Sequence, residues 1–153
     1  MNLEKIPIVE TSLLIRKPPI EVFEAFAEPA ITTQFWFTKG TDRLESEKRV
    51  EWHWEMYGFS VPVHVKEAQP PTRIVIDWGE PGDITTVEWT FAARPDGTTF
   101  VTVRNYGFTG TGDEIVQKAL DSMGGFNLVL AGCKAWLEHG LRLNLVADRF
   151  PKD

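Results

Sequence analysis

The C-terminal third of the chain carries one long helical pattern of apolar residues. From residue 111 to about residue 146 apolar side chains recur at steps of three and four, and they are Ile115, Ala119, Met123, Phe126, Leu130, Cys133, Leu137 and Leu141. This spacing predicts an α-helix roughly 50 Å long with an apolar stripe on one side. Thr111 and Glu114 fit a capping box at its start, and Gly140 is a candidate for the end of its regular part. The pair Gly124-Gly125 leaves three alternatives open: a kink, a break into two helices, or a close backbone approach.

Most of the preceding chain alternates with a period of two, which is typical of half-buried strands. A first strand is predicted over residues 8–16, and others over 74–78, 87–91 and 98–108. Between them Val50, Trp52, Trp54 and Met56 share one face, while Glu51, His53, Glu55 and Tyr57 share the other. Tyr57-Gly58 indicates a tight hairpin turn that pairs Met56 with Phe59. We therefore predict an antiparallel meander of about seven strands.

Two short helices are predicted between the first strand and the meander. Pro19 suits a first helical turn, and Val22, Phe23 and Phe26 follow at helical spacing, which indicates a helix from Pro19 to Ala27. A second helix is predicted over residues 30–37. The long helix must lay its apolar stripe on the sheet. The expected fold is α+β, with a curved antiparallel sheet against a long C-terminal helix, in one domain spanning residues 1–153.

Six tryptophans add a large amount of flat apolar surface to this architecture. Trp52, Trp54, Trp78 and Trp89 all fall on the predicted inward faces of the strands, opposite the helix stripe. Each of them alone is best explained as core packing. Four indoles on one concave face leave gaps between them, however, and small-molecule sites are commonly apolar aromatic clefts with a few polar groups. We select Thr11, Asn105 and Asn127 as the candidate polar groups.

Charge and cysteine content narrow the classes of partner. Sixteen Lys and Arg against 22 Asp and Glu give a net charge of −6, which repels phosphate backbones and argues against nucleic acid as a partner. No segment has the length and apolar character of a membrane span or of a signal peptide, so we expect no membrane insertion. The only cysteine, Cys133, lies in the apolar stripe and fits a reducing compartment. We expect a cytoplasmic protein.

The search for catalytic motifs is mostly negative. The chain has no GxSxG, HExxH, CxxC, P-loop or GxGxxG pattern. The predicted hairpin pairs Glu51 with His64 and places His53 beside both, which would suit Zn²⁺ or acid–base chemistry. These side chains lie on the face opposite Trp52 and Trp54, so an exposed charged cluster is the better interpretation. We assign no catalytic residue and no metal or organic cofactor, and leave open whether a reaction is catalysed.

Several stretches resemble the helix-grip fold of the START-like or SRPBCC superfamily, in the right order. They are Pro18-Pro19-Ile20-Glu21-Val22-Phe23 with Pro29, Phe35-Trp36-Phe37, Pro70-Pro71-Thr72-Arg73-Ile74 with Trp78, Asp96-Gly97-Thr98-Thr99, and Gly124-Gly125-Phe126 ahead of Lys134-Ala135-Trp136-Leu137-Glu138-His139-Gly140. Within the superfamily they are similar to the branch named after the activator of heat-shock-protein ATPase (AHSA-type). Phe126 stands where that branch commonly has tryptophan. The resemblance covers nearly the whole chain.

The resemblance implies an apolar cavity between sheet and helix that binds a small apolar or aromatic molecule. The candidate lining residues are Trp36, Trp52, Trp54, Trp78, Trp89, Met123, Phe126, Asn127, Leu130, Thr11 and Asn105. Ligand binding is our leading hypothesis. The alternatives are a cyclase-like enzyme acting on such a ligand and a chaperone-related interaction module. Family members that stimulate the chaperone ATPase carry an additional N-terminal domain, which these 153 residues do not include.

Two apolar groups allow more than one role. The Phe35-Trp36-Phe37 run is either a lid at the cavity mouth or a buried plug that holds the short helices on the sheet. Leu128, Trp136 and Leu143 fall outside the main stripe. They form either a homodimer face or a surface for packing the C-terminal tail.

Overall fold

Seven antiparallel strands form one sheet in the computed structural model, which describes residues 2–152. The strands are β1 (Val9–Ile15), β2 (Lys39–Gly40), β3 (Arg49–Trp54), β4 (Phe59–Gln69), β5 (Arg73–Trp78), β6 (Thr85–Ala93) and β7 (Thr99–Tyr106). The helices are α1 (Pro19–Ala27), α2 (Pro29–Thr32), α3 (Gly112–His139) and α4 (Leu145–Arg149). The strands lie in the order β1-β7-β6-β5-β4-β3-β2. This arrangement confirms the predicted α+β helix-grip fold.

Helix α3 packs its apolar side against the concave face of the sheet and against α1. Its buried side chains include Ile115, Phe126, Leu130 and Cys133, which belong to the predicted stripe. Thr111 is the N-cap, and its Oγ1 accepts a hydrogen bond from the Glu114 amide at 3.2 Å. The apolar period of the sequence therefore identified the face of α3 that meets the sheet.

The glycine pair does not interrupt the helix. α3 runs without a break through Gly124 and Gly125, and a Cβ atom added at either would meet nothing within 4 Å. A break and a close backbone approach are therefore excluded. The close approach occurs at Gly132 instead, where an added Cβ would come within 3.1 Å of the Phe35 Cβ.

The long helix ends where Gly140 was predicted to end it, whereas the second short helix is shorter than predicted. α3 ends at His139 because Gly140 adopts the left-handed conformation (φ 65°) and donates its amide hydrogen to the Trp136 carbonyl oxygen at 2.9 Å. Leu141 therefore lies beyond the helix and is exposed. The second short helix, predicted over residues 30–37, ends at Thr32.

The hairpin between β3 and β4 is longer than predicted. A 3-10 turn over Glu55–Tyr57 and a left-handed Gly58 connect the strands, so Trp54 rather than Met56 pairs with Phe59. The predicted pairing of Glu51 with His64 is wrong because that extra turn shifts the register by two residues. A shift of two preserves the faces of a strand, so the tryptophans of β3 still point inward.

Aromatic rings form the centre of the core. The Trp36 ring lies 4.9 Å from that of Trp52, 5.8 Å from that of Trp78 and 5.8 Å from that of Phe126, measured between centroids. The Phe35-Trp36-Phe37 run is buried. Through Trp36 this run connects the loop after α2 to the sheet and to α3. This buried position matches the plug rather than the lid.

Candidate functional site

A cavity of about 390 Å³ lies between the N-terminal half of α3 and the ends of the central strands. The sheet contributes residues from β3, β4, β5, β6 and β7, together with the loop that joins β5 to β6. The C-terminal tail closes part of the remaining side through Val146 and Phe150. The volume falls within the range of about 300 to 1,000 Å³ that is common for small-molecule sites.

The walls of the cavity are largely aromatic. Trp36, Trp54, Trp78 and Phe126 line its interior. Phe59 and Phe150 also line it, although they are 46% and 55% exposed, and they therefore form its rim. Flat rings on several sides suit a planar or apolar molecule because such surfaces give close contact at little entropic cost.

One face of α3 supplies the helical wall. Ser122, Gly125, Phe126 and Val129 line the cavity and follow at positions i, i+3, i+4 and i+7. Gly125 exposes only backbone there, and a Cβ at that position would point into open space. The absence of a side chain at Gly125 therefore adds to the volume of the cavity.

The polar end of the cavity is built around Asn105, which is 2% exposed. Its Nδ2 donates to the Thr85 Oγ1 at 2.9 Å and to the Thr86 carbonyl oxygen at 2.8 Å, while its Oδ1 accepts from the Ser122 Oγ at 2.8 Å. This amide joins β7 to β6 and to α3. Thr85, Ser122 and Asn105 all line the cavity.

Three ionisable groups line the cavity, and all have partners. The Lys118 Nζ bonds the Asp83 Oδ1 at 2.7 Å and the Thr109 carbonyl oxygen at 2.8 Å. The Asp121 Oδ1 accepts a hydrogen bond from the Gln117 side chain at 3.0 Å. The charged lining is therefore two carboxylates and one ammonium group, and the ammonium is already occupied.

The structure brings together five of the residues proposed from the sequence. Trp36, Trp54, Trp78, Asn105 and Phe126 line the cavity. The other six lie outside its lining, and they are Trp52, Trp89, Met123, Leu130, Thr11 and Asn127.

These six residues occupy the core or the surface. Trp52 and Trp89 are each 1% exposed and are covered by neighbouring rings, while Leu130 is buried in the same core. Met123 packs against a smaller apolar cluster beside Ile115. Residues of the one helical stripe therefore lie partly in the core and partly at the cavity. The spacing of apolar residues in the sequence does not distinguish these two locations.

Thr11 and Asn127 instead join the edge strand β1 to α3. The Thr11 hydroxyl donates to the Asn127 side-chain oxygen. About two helical turns further on, the Lys134 Nζ donates to the Leu14 carbonyl oxygen at 2.8 Å. β1 lies at the edge of the sheet, and these bonds hold it against the helix.

Glu138 completes this contact between β1 and α3. Its carboxylate accepts from the Arg16 amide at 2.8 Å and from the Lys134 Nζ at 2.6 Å. Burial acts to raise the pKa of Glu138, but the two donors outweigh burial and leave the pKa below its ordinary value. We refer to Thr11, Asn127, Lys134 and Glu138 as the β1 clamp.

A second cavity of about 240 Å³ lies on the other side of the tail. It is lined by the loop after α2 and by residues 142–147, with Met56 beside them. Trp36 and Val146 line both cavities, so they form the partition between them. Of the second apolar group, Leu128 lines the first cavity, Trp136 packs on the core and Leu143 stays exposed.

The predicted cluster of Glu51, His53 and His64 lies outside the cavity. His53 lies 2.9 Å from Glu51 on the outer face of β3, and His64 pairs across the strands with Arg49. Within residues 2–152 no three His, Cys, Asp or Glu side chains are arranged to hold a metal ion. Burial raises the pKa of the Cys133 thiol far above its ordinary value, so this thiol stays protonated.

Sequence reasoning missed the polar neighbours of Asn105 and the glycine of the helical wall. Ser122 and Gly125 carry a readable signal, because Gly125 and Phe126 follow Ser122 by three and four residues on one helix face. Thr85 carries none, since it is one of several threonines at a strand start. Its position became clear only from the pairing of β6 with β7.

Solved structures share this fold. Protein SSP2350 from Staphylococcus saprophyticus is 25% identical, with a TM-score of 0.77 over 90% of this chain and 96% of that one. DynU16, from the dynemicin biosynthetic locus, is 19% identical, with a TM-score of 0.73 over 88% of this chain and 48% of that one. The Aha1 dimer from Colwellia psychrerythraea is 13% identical, with a TM-score of 0.74 over 88% of this chain and 98% of that one.

The sequence itself gives the family. Among curated proteins none matches the chain. No helix within residues 2–152 has the length and apolar character needed to cross a membrane. The family described as Activator of Hsp90 ATPase homolog 1-like protein matches residues 16–138, from the end of β1 almost to the end of α3. The chain belongs to this family, within the START-like or SRPBCC superfamily.

Proposed function

We propose that this protein binds a small apolar or aromatic molecule in the cavity between α3 and the sheet. The observation that carries the proposal is a space of about 390 Å³ with aromatic rings on several sides and one polar end. A core built only for stability is close-packed, and a void of this size costs stability. A bound ligand would recover that cost by filling the space.

The site is accessible to such a molecule through its rim. Phe59 and Phe150 combine cavity lining with high exposure. The tail that carries Phe150 is bound to the β3–β4 hairpin by a hydrogen bond from the Tyr57 hydroxyl to the Phe150 carbonyl oxygen at 2.6 Å. A ligand would enter between these two rings without disturbing the sheet.

Intrinsic tryptophan fluorescence tests this proposal with lauric acid, naringenin and emodin as probes. Trp36, Trp54 and Trp78 line the cavity, so a ligand there should quench their emission in a saturable way. Trp54→Phe should weaken binding severalfold because the smaller ring gives less contact with the ligand. Trp136→Phe is the control, since Trp136 packs on the core outside the cavity lining. No saturable response to any of the three probes, from protein with an intact near-UV circular dichroism spectrum, would overturn the proposal.

A further inference from the structure

The Asn105 amide has a fixed orientation, and this orientation determines which hydrogen bonds its neighbours can still form. A backbone carbonyl only accepts hydrogen bonds, so the contact of 2.8 Å with the Thr86 carbonyl oxygen identifies the amide nitrogen of Asn105. The second N–H of that nitrogen is used by the Thr85 Oγ1, and the amide oxygen is used by Ser122. Both N–H groups of Asn105 are therefore committed within the protein.

The hydroxyl groups of Thr85 and Ser122, which both bond Asn105, differ in the hydrogen bond that each can still form. The Thr85 oxygen accepts from Asn105, so its own proton remains to be donated, and within residues 2–152 it has no acceptor. The Ser122 hydroxyl gives its proton to Asn105, so its oxygen can only accept further bonds. Both groups line the cavity. The polar end therefore offers one donor and one acceptor to a ligand.

The charges around the cavity work against an anionic ligand. Asp83 and Asp121 line it, and Lys118, the one cation that residues 2–152 contribute to the lining, already bonds Asp83 and a backbone carbonyl. A carboxylate would lose its hydration and find no free cation, and burying an unpaired charge is costly. The net charge of −6 adds a repulsive field.

We propose that this polar end selects an uncharged aromatic molecule with a carbonyl or phenol oxygen, bound by the Thr85 hydroxyl, and that it rejects carboxylates of the same shape. The inference rests on the proposed function and adds the chemical class of the ligand to it. Asn105 acts as a positioning residue here, because it orients the Thr85 hydroxyl without a free donor of its own.

Three probes with one ring system test the inference on the full chain: naphthalene, methyl naphthyl ketone and naphthoate. Isothermal calorimetry or tryptophan fluorescence at neutral pH gives their dissociation constants. A hydrogen bond contributes about 1 kcal/mol, so the ketone should bind about fivefold more tightly than naphthalene. Naphthoate should bind at least tenfold more weakly than the ketone, since its charge must be buried unpaired.

Thr85→Val removes the hydroxyl and keeps the branched shape, so it should abolish the advantage of the ketone over naphthalene. Thr86→Val is the matched control on the same strand, because the Thr86 hydroxyl donates to Asp77 at 2.6 Å and lies outside the cavity lining. Its backbone carbonyl, which Asn105 uses, is retained.

The outcomes separate the two proposals. If naphthalene binds and the ketone has no advantage, or if naphthoate binds as well as the ketone, the inference fails while the proposed function stands. An advantage that survives in Thr85→Val also overturns it. If none of the three probes binds to folded protein, the proposed function fails and the inference fails with it.

Discussion

Two adjacent glycines in α3 allow the cavity to be filled without changing the rest of the helix. Gly125 lines the cavity, whereas Gly124 lies outside its lining and is exposed. A Cβ atom at either position meets nothing within 4 Å. Gly125→Leu should therefore place an apolar side chain in the cavity, and Gly124→Leu should place the same side chain in solvent.

The two variants should differ in stability by the burial of one leucine. Replacing glycine in a helix interior adds about 1 kcal/mol to the unfolding free energy of both variants. Burying the leucine adds about 2 kcal/mol more in Gly125→Leu. Because 1 kcal/mol moves the melting temperature by roughly 3 °C in a chain of this size, we expect a rise of about 3 °C for Gly124→Leu and about 9 °C for Gly125→Leu.

Ligand binding should change in the opposite direction. Methyl naphthyl ketone should bind Gly125→Leu at least tenfold more weakly, a loss of about 1.4 kcal/mol, because the added side chain occupies its space. Its affinity for Gly124→Leu should equal that of the unmodified chain. Calorimetric melting and a fluorescence titration measure both quantities. Equal affinity for the two folded variants would refute the assignment of this cavity as the binding site. A melting temperature lower for Gly125→Leu than for the unmodified chain would show that the cavity has no room for a leucine side chain at position 125.

Two contacts away from the cavity give further predictions. Arg43 hydrogen-bonds Glu24 and holds its pKa below the ordinary value, so Glu24→Gln should lower the unfolding free energy by up to about 1 kcal/mol at neutral pH. Because a lowered pKa stabilises the fold only while the carboxylate is charged, that loss should vanish as the pH falls through the folded-state pKa; an equal loss in melts at neutral pH and at about pH 3 would contradict this. Lys134→Met removes a donor from Glu138 and from a β1 carbonyl, and should cost about 2 kcal/mol, with faster hydrogen exchange in β1. Lys66→Met, at an exposed ion pair of 3.8 Å, should cost almost nothing, and a similar loss in both lysine variants would argue against the clamp.

The fold could be predicted from the sequence because strand alternation and helix period are local signals. They placed Trp52 and Trp54 on the inward face even though the β3–β4 hairpin was assigned the wrong length. The error did not change which side of the sheet each residue faces, because the register moved by two residues. The length of the turn itself was not readable, since Gly58 marks only its last residue and the preceding 3-10 turn has no distinct sequence signal.

The cavity could be predicted only in part, because alternation gives the side a residue faces and not its distance from other side chains. Trp52 and Trp89 face the same way as Trp54 and Trp78, yet the first two are sealed in the core and the other two border empty space. Trp36 contacts all four indoles, so the difference depends on the position of each ring among all of its neighbours. That position follows from the whole fold, so no short sequence window contains it.

The β1 clamp has a consequence for how the chain is made. Its bonds join residues 116 to 122 positions apart, and they link the first strand of the sheet to its last long helix. During synthesis β1 therefore emerges long before the side chains that cover its unpaired side. Until α3 is complete, that edge can pair with a strand of another nascent chain. Docking of α3 thus covers this edge as well as closing the cavity.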